Sequence, residues 1–254
     1  MLAATATVTK VVRGDICNKL EMKGCRVVYV SPNKPNMYYE VVVRTDIDQD
    51  FASVLNELRI HKISTQRLIV YCRSLNICSD LYAYFISSLG VDSYYPPGAD
   101  HISDNRLFGM FHANTPAHNK DVILRSMQVA DGVVRVVFAT VALGMGVNLV
   151  GVHRTIHYGA PSSIEDYFQE SGRAGRSGEP AKSTIYWKPR DAPLKKDLSN
   201  PRDAEVAAVR HYLENNKECR RIQLLDYFDP VLKEEIVSRD LLLCCDVCAQ
   251  NYNI

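Results

Sequence analysis

The sequence predicts an α/β fold: a parallel sheet with helices on both faces, followed by a small, mostly helical, cysteine-bearing segment. Three observations predict it. Apolar runs of strand length alternate with amphipathic stretches of helix length up to about residue 190. Several of the strand runs are apolar without alternation, the pattern of strands buried on both faces and hence of a parallel sheet. The composition then changes. Lys188 to Arg202 holds three prolines and several charges, and four of the eight cysteines fall after it.

Taken in order, Arg26 to Val30 and Tyr39 to Val43 are β-rich runs. Asp48 to His61 places Phe51, Val54, Leu55 and Leu58 on one helical stripe. Arg67 to Cys72 reads as a fully buried strand, and Ser74 caps a helix that Gly90 stops. Met110 to Ala113 is a short strand. Thr115 and Pro116 offer an N-cap and a proline at the first helical position of a helix reaching Met127. Val133 to Thr140 and Thr155 to Tyr158 are further strands. Ser162 and Glu165 form a capping box for a helix through Gln169, and Ser183 to Lys188 closes the series. Beyond the linker, Asp203 to Glu214 is helical, with Val206, Val209, Arg210 and Leu213 on one stripe. Sheets of this kind bind ligands outside the carboxyl ends of their strands, so function is expected just after each strand.

Composition excludes several classes. With 254 residues, 46% hydrophobic and 23% charged, the chain is neither disordered nor collagen-like. No apolar run approaches the ~18–20 residues of a membrane span, and no basic-then-apolar leader opens the chain, so a secreted protein is not expected. A net charge of +1 excludes a uniformly basic nucleic-acid binder but leaves room for a local patch. From Ser171 to Gln223, twelve Lys/Arg stand against seven Asp/Glu, which suits sequence-independent contact with a nucleic-acid backbone. Cys17, Cys25, Cys72 and Cys78 are scattered, whereas Cys219, Cys244, Cys245 and Cys248 cluster late. That unevenness suggests a reducing compartment and a metal in the tail.

Two motifs carry chemistry. Gln169 to Gly178 is a glycine-rich run holding Arg173 and Arg176. Glycines let the backbone turn tightly, and two guanidiniums can converge on one phosphate, where they stabilise charge that develops during phosphoryl transfer. In Val136 to Asn148, a buried strand ends at Thr140, and Gly144 and Gly146 then expose backbone amides suited to phosphate oxygens.

Together these motifs resemble motifs V and VI of superfamily 2 helicases, specifically the RecQ family. His157-Tyr-Gly159 and Ser163-Ile-Glu165 stand between them in the family's order. Ile69 to Ser74 looks like motif IV, Pro35 to Val41 like the opening of the second lobe, and Ala4 to Thr7 like the tail of motif III. Cys219 to Phe228 and Cys245 to Cys248 look like the family's zinc subdomain.

The resemblance implies that residues 1–190 are the second RecA-like lobe, the helicase C-terminal domain, and that residues 191–254 are a C-terminally truncated zinc-binding subdomain. It implies an ATP-dependent, 3′-to-5′ DNA helicase of repair or recombination, nuclear in a eukaryote and otherwise cytoplasmic. Arg173 and Arg176 would reach the γ-phosphate, and Gln169 would couple the lobes. Gly144, Gly146 and Asn148 would lie near the nucleotide. Arg73, Ser74 and Thr140 would face DNA at a junction of single and double strands. The chain has no G-x-x-x-x-G-K-[ST] and no Asp-Glu-x-His, so the ATP cradle and Mg²⁺ carboxylates would belong to a first lobe outside it, and the chain reads as a fragment. Phe111 to Thr115 departs from the family's Tyr-His-Ala-Gly-Leu, and Gly151 and His153 stand where it has Asp and Arg.

The resemblance also implies Zn²⁺ on Cys219, Cys245 and Cys248. The family's remaining cysteine falls where this chain has Leu242, which leaves Cys244 as the nearest substitute and His211 as the other candidate. Two readings compete with an enzyme's half. One is a catalytically inactive, zinc-stabilised DNA-binding module. The other is an RNA helicase lobe, which would share the arginine motif but lack the zinc segment.

Overall fold

The structure is a computed structural model that describes residue 3 and residues 9–28, 31–140, 143, 148–194, 199–228 and 244–251. Its strands are β1 Met37–Val43, β2 Arg67–Cys72, β3 Phe108–Phe111, β4 Val136–Ala139, β5 Val152–Tyr158 and β6 Ala181–Trp187. They form one all-parallel sheet in the order β1-β6-β5-β2-β4-β3. The helices are α1 Lys10–Lys19, α2 Ile47–His61, α3 Leu75–Leu89, α4 Ala117–Gln128, α5 Ile164–Ser171, α6 Pro201–Glu214, α7 Arg220–Phe228 and α8 Asp246–Asn251.

The central strand explains its own sequence. Leu68, Val70 and Cys72 of β2 join one apolar cluster with Phe51 and Leu58 of α2 and Leu81 and Phe85 of α3. Ile69 and Tyr71 point the other way, to Ile123 and Met127 of α4 and Tyr167 and Phe168 of α5. From Leu68 to Cys72 the strand is covered on both faces and leaves no position open to water. The second cluster continues through Val209 and Leu213 of α6 and Leu224 and Phe228 of α7 to the late cysteines. The cysteine-bearing segment thus shares a core with the sheet.

Several expected elements change. Arg26–Val28 is not a strand, and residues 29 and 30 lie outside the described residues, as do Ala4 to Thr7. The free edge that such a strand would join is already taken: the Tyr39 N–H donates to the Cys244 carbonyl at 3.1 Å, and Tyr39 bridges Cys245. Val28 is left 83% exposed. β4 starts three residues later than expected because the Val134 N–H goes to Ser126 Oγ at 2.8 Å instead of to a neighbouring strand. Thr115 is not a helix cap. Its hydroxyl accepts from His112 N and donates to the Met110 carbonyl, closing the turn after β3. The cap of α5 is Ser163, one residue beyond the expected Ser162, and Glu165 accepts a hydrogen bond from the Tyr227 hydroxyl instead of closing a capping box.

Arg67, the first residue of β2, is 2% exposed and holds the amino side of the sheet together. Its guanidinium donates to the carbonyls of Ser126 (3.0 Å), Val129 (2.5 Å) and Ala130 (3.3 Å) at the end of α4, and to Val150 (2.7 Å) before β5. Helix ends leave carbonyls without intrahelical donors, and this fork supplies them. Burial, then nearby Arg135, lowers its pKa to about 10, so it stays charged at neutral pH. Arg67→Ala is expected to lower the unfolding free energy by about 3 kcal/mol, because it strands several buried carbonyls at once. Arg67→Lys should recover less than half of the loss, since one ammonium cannot span that fork. Urea unfolding of the three proteins measures both effects.

Candidate arginine loop and metal centre

The helix α5 begins where Ser163 Oγ accepts from Asp166 N at 3.0 Å. It runs back from the carboxyl end of β5, and its last turn unwinds through Gly172 N–H to Phe168 O and Arg173 N–H to Glu170 O. The loop that follows is pinned at three points. Gly175 N–H donates to Val152 O at 2.9 Å, Asn36 Nδ2 donates to the carbonyls of Gly175 (2.8 Å) and Glu179 (2.7 Å), and Lys34 Nζ donates to Gly172 O. Gly175 has φ +63°, and a Cβ there would lie 2.5 Å from Asn36 Nδ2 and 2.8 Å from Ala181 Cβ. Glycine is required by conformation and by space.

These partners correct the expectation that the loop stands at the carboxyl edge. Asn36 precedes β1, Val152 opens β5 and Ala181 opens β6, so the loop ends beneath the amino ends of three strands. The sequence rule fails because it follows the strand, whereas α5 carries the motif back across the sheet.

Arg173 and Arg176 line one cleft of about 260 Å³ together with Asn148, Gly151 and Val152. Arg176 and Asn148 are exposed and Arg173 is half-buried. Burial, then Arg176, lowers the pKa of the Lys34 ammonium, which marks a third cation close to the pair. Gln169 is exposed on the last turn of α5. Gly144 and Gly146 lie outside the described residues. Guanidiniums clustered on a constrained backbone can take the oxygens of a phosphate with little reorganisation.

The other expected contacts collect at the opposite edge. Arg73 and Ser74 follow β2, and Thr140 follows β4. Arg73 is exposed and donates to the Asp191 carbonyl. Ser74 Oγ accepts from Ile77 N at 3.3 Å as the cap of α3. Thr140 is half-buried, with its N–H on Phe111 O. The basic stretch is not one exposed patch. Arg220 is 3% and Arg221 8% exposed, and both are bonded into the interior.

The four late cysteines come together. The sulfurs of Cys219, Cys244, Cys245 and Cys248 lie within 4.8 Å of one another, all buried, with Cys219–Cys244 at 3.3 Å and Cys219–Cys245 at 3.9 Å. Tetrahedral zinc with Zn–S of about 2.3 Å sets sulfurs roughly 3.8 Å apart, so the arrangement fits the ion. Hydrogen bonds from Cys219, then Cys244, pull the Cys245 thiol well below its ordinary range, and the Arg220 and Cys248 amides help. A thiolate is therefore favoured inside the cluster. His211 is exposed on α6 and outside the group. Sequence reasoning missed two supports. Asp246 binds Arg220 Nε at 3.0 Å and accepts from Val41 N at 3.0 Å, tying α8 to β1. The Asp between two cysteines was the available signal.

The chain also matches known proteins. Residues 50–178 match the helicase conserved C-terminal domain, and residues 194–249 match the RecQ zinc-binding family. The chain is 29% identical over 255 residues to the ATP-dependent DNA helicase hus2/rqh1 of Schizosaccharomyces pombe, covering 96% of this chain and 18% of that protein. It is 30% identical to the putative ATP-dependent RNA helicase R290 of Acanthamoeba polyphaga mimivirus, covering 97% of this chain and 42% of the relative. Against the ATP-dependent DNA helicase Q1 of Pongo abelii it is 29% identical, covering 96% and 35%. The chain thus spans less than half the length of these relatives. Among solved structures, Saccharomyces cerevisiae Dbp5 bound to RNA and ADP BeF3 superposes with a TM-score of 0.54 at 14% identity, over 83% of this chain and 48% of that one, a likeness of fold alone. With a helicase conserved C-terminal domain over half of its length and a RecQ zinc-binding segment behind it, the chain belongs to the RecQ helicase family.

Proposed function

We propose that this chain is the second RecA-like lobe and zinc-binding subdomain of an ATP-dependent, 3′-to-5′ DNA helicase of repair or recombination, with the division near residue 190. The observation that carries the reading is the glycine-pinned loop that puts Arg173, Arg176 and Asn148 on one cleft. Arg173 and Arg176 meet the γ-phosphate of an ATP held with Mg²⁺ by a first lobe, and stabilise charge that builds as the phosphoryl group leaves. Asn148, with Gly144 and Gly146, lies beside the nucleotide, and Gln169 passes the lobe's movement to that site. Arg73, Ser74 and Thr140 contact the DNA backbone at the far edge of the sheet, so nucleotide and DNA act on opposite ends of the same strands. Such backbone contacts are independent of sequence. The site of action is the nucleus if the source is eukaryotic and the cytoplasm otherwise; among the described residues no helix is long and apolar enough to cross a membrane.

Cys219, Cys244, Cys245 and Cys248 hold the zinc. The ion supplies a cross-link between α7 and α8 and takes no part in the reaction.

Two outcomes test this function. The chain alone should not hydrolyse ATP. Joined to a RecQ-family first lobe, it should give a DNA-stimulated ATPase in which Arg176→Ala lowers kcat by ~10³-fold or more with KM for ATP little changed. Arg176→Lys should not rescue, because a point charge cannot reproduce the planar fork. If Arg176→Ala instead keeps kcat within a few-fold and weakens DNA binding, the loop is a DNA contact and the catalytic assignment fails.

The purified chain should also carry about one equivalent of zinc, and chelation should unfold the segment beyond residue 200. Cys244→Ser should lose most of the metal, whereas His211→Ala should keep it. Metal analysis and circular dichroism with and without chelator read both.

A further inference from the structure

Under the last turn of α5, where the arginine loop begins, lies a buried polar pair. His157, near the end of β5, is 2% exposed. Its Nε2 lies 2.8 Å from Glu170 Oε2, with the two side chains 3% and 13% exposed. A carboxylate only accepts, so the shared proton sits on Nε2. The other ring nitrogen, Nδ1, is buried without a hydrogen bond. The ring is clamped on both sides. Tyr71 of β2 stacks on it at 4.9 Å and 20°, and Tyr167 of α5 meets it edge-on at 4.9 Å and 73°.

Nothing in the packing demands a charge here. Ile69 and Ile185 fill the same layer with apolar side chains. A buried carboxylate costs several kcal/mol unless it is paired, and pairs of this kind are often replaceable by apolar residues without loss. The pair sits where the loop begins. Glu170 is in the last turn of α5, and its own carbonyl accepts the Arg173 N–H at 3.2 Å. Its side chain is therefore pinned to β5 while its backbone carries the first arginine. Tyr71 completes the link. Burial first, then the Glu170 carboxylate, raise its phenol, while the Arg173 and Arg176 guanidiniums lower it. The phenol oxygen, buried without a hydrogen bond, thus feels both the acid and the guanidiniums.

We propose that Glu170, His157 and Tyr71 are positioning residues for Arg173. The His157–Glu170 hydrogen bond fixes the last turn of α5 against β5, and the stacked phenol sets the reach of the guanidinium into the cleft. None of the three touches the nucleotide. The proposal rests on the reading that Arg173 acts on the γ-phosphate, but it makes a separate claim about where that side chain is held. Misplacing a reacting group by about 1 Å can cost on the order of 100-fold in rate.

The test has two arms. In the 254-residue chain, the Nε–H resonance of Arg173 is followed by NMR, with thermal unfolding as the control for folding. His157→Phe keeps the stack and removes the donor to Glu170, Glu170→Gln removes the charge at constant shape, and Tyr71→Phe removes only the hydroxyl. Each should broaden or shift the Arg173 signal while distant amides stay in place. His157→Gln, whose amide can donate to Glu170, should restore most of it. In the protein completed by a first lobe, Glu170→Gln should lower kcat roughly 10- to 100-fold with KM for ATP within about twofold.

The proposal is overturned if Glu170→Gln and Tyr71→Phe, both folded, leave the Arg173 signal and kcat unchanged. It is also overturned if His157→Gln behaves like His157→Phe. Should His157→Phe fail to fold, the other two variants decide the question alone. Suppose that Arg173→Ala keeps full kcat while Glu170→Gln still disorders the Arg173 signal. The γ-phosphate reading then fails, and the positioning role stands.

Discussion

The three residues that lead into β1, with Met37 that opens it, hold the two halves of the molecule in register. Lys34 and Asn36 send their side chains to the arginine loop, at the carbonyls of Gly172, Gly175 and Glu179. The alternate residues, Pro35 and Met37, give their carbonyls to Arg221, at 3.2 and 2.7 Å. The chain turns here, with the Met37 N–H on the Lys34 carbonyl at 3.1 Å, so one short segment presents side chains and carbonyls to both neighbours. The arginine loop and α7 are thus fastened to the same strand entry. Neither can shift without disturbing the first residues of β1.

The edge of β1 depends on the same arrangement. An open strand edge exposes unpaired N–H and C=O groups and invites pairing with other chains. Here Cys244 and Asp246 take the N–H groups of Tyr39 and Val41. Arg220 makes that cover rigid. It pairs with Asp246, donates to the carbonyls of Tyr212 (2.6 Å) and Asn215 (2.9 Å), and lies over the Tyr212 ring at 5.6 Å. A buried guanidinium is tolerable when its donors are met, and removing one partner is what destabilises. The pair of arginines after Cys219 therefore does structural work that a count of positive charges reads as affinity for DNA.

What the sequence made legible follows from how local the cause is. Ser74 and Gly90 bound α3 as expected, because a cap and a stop act within a turn of the helix. The unbroken apolar run of β2 announced burial on both faces. Thr115 misled because its hydroxyl had two partners in the preceding turn, and the local sequence cannot rank a cap against a turn. Arg67 was invisible, since its carbonyl partners lie at least 59 residues away. The edge at which the arginines emerge was misread for a related reason. The direction of α5 comes from the sheet it packs on, and a motif's position after a strand does not encode it.

The metal centre shows how a spacing rule can fail while the chemistry survives. Successive residues of an extended strand point to opposite faces, so neighbouring cysteines should not converge on one ion. Cys244 and Cys245 do converge because they do not lie in an extended strand. Cys244 stands in a turn, with its carbonyl on the Tyr39 N–H. Cys245 bridges Tyr39 and leads directly into α8, and its sulfur accepts from the Cys248 and Arg220 amides at 3.4 Å each. The turn brings both sulfurs to Cys219, which lies 3.3 Å from one and 3.9 Å from the other. The same turn that caps the β1 edge thus supplies the fourth sulfur that position 242 lacks.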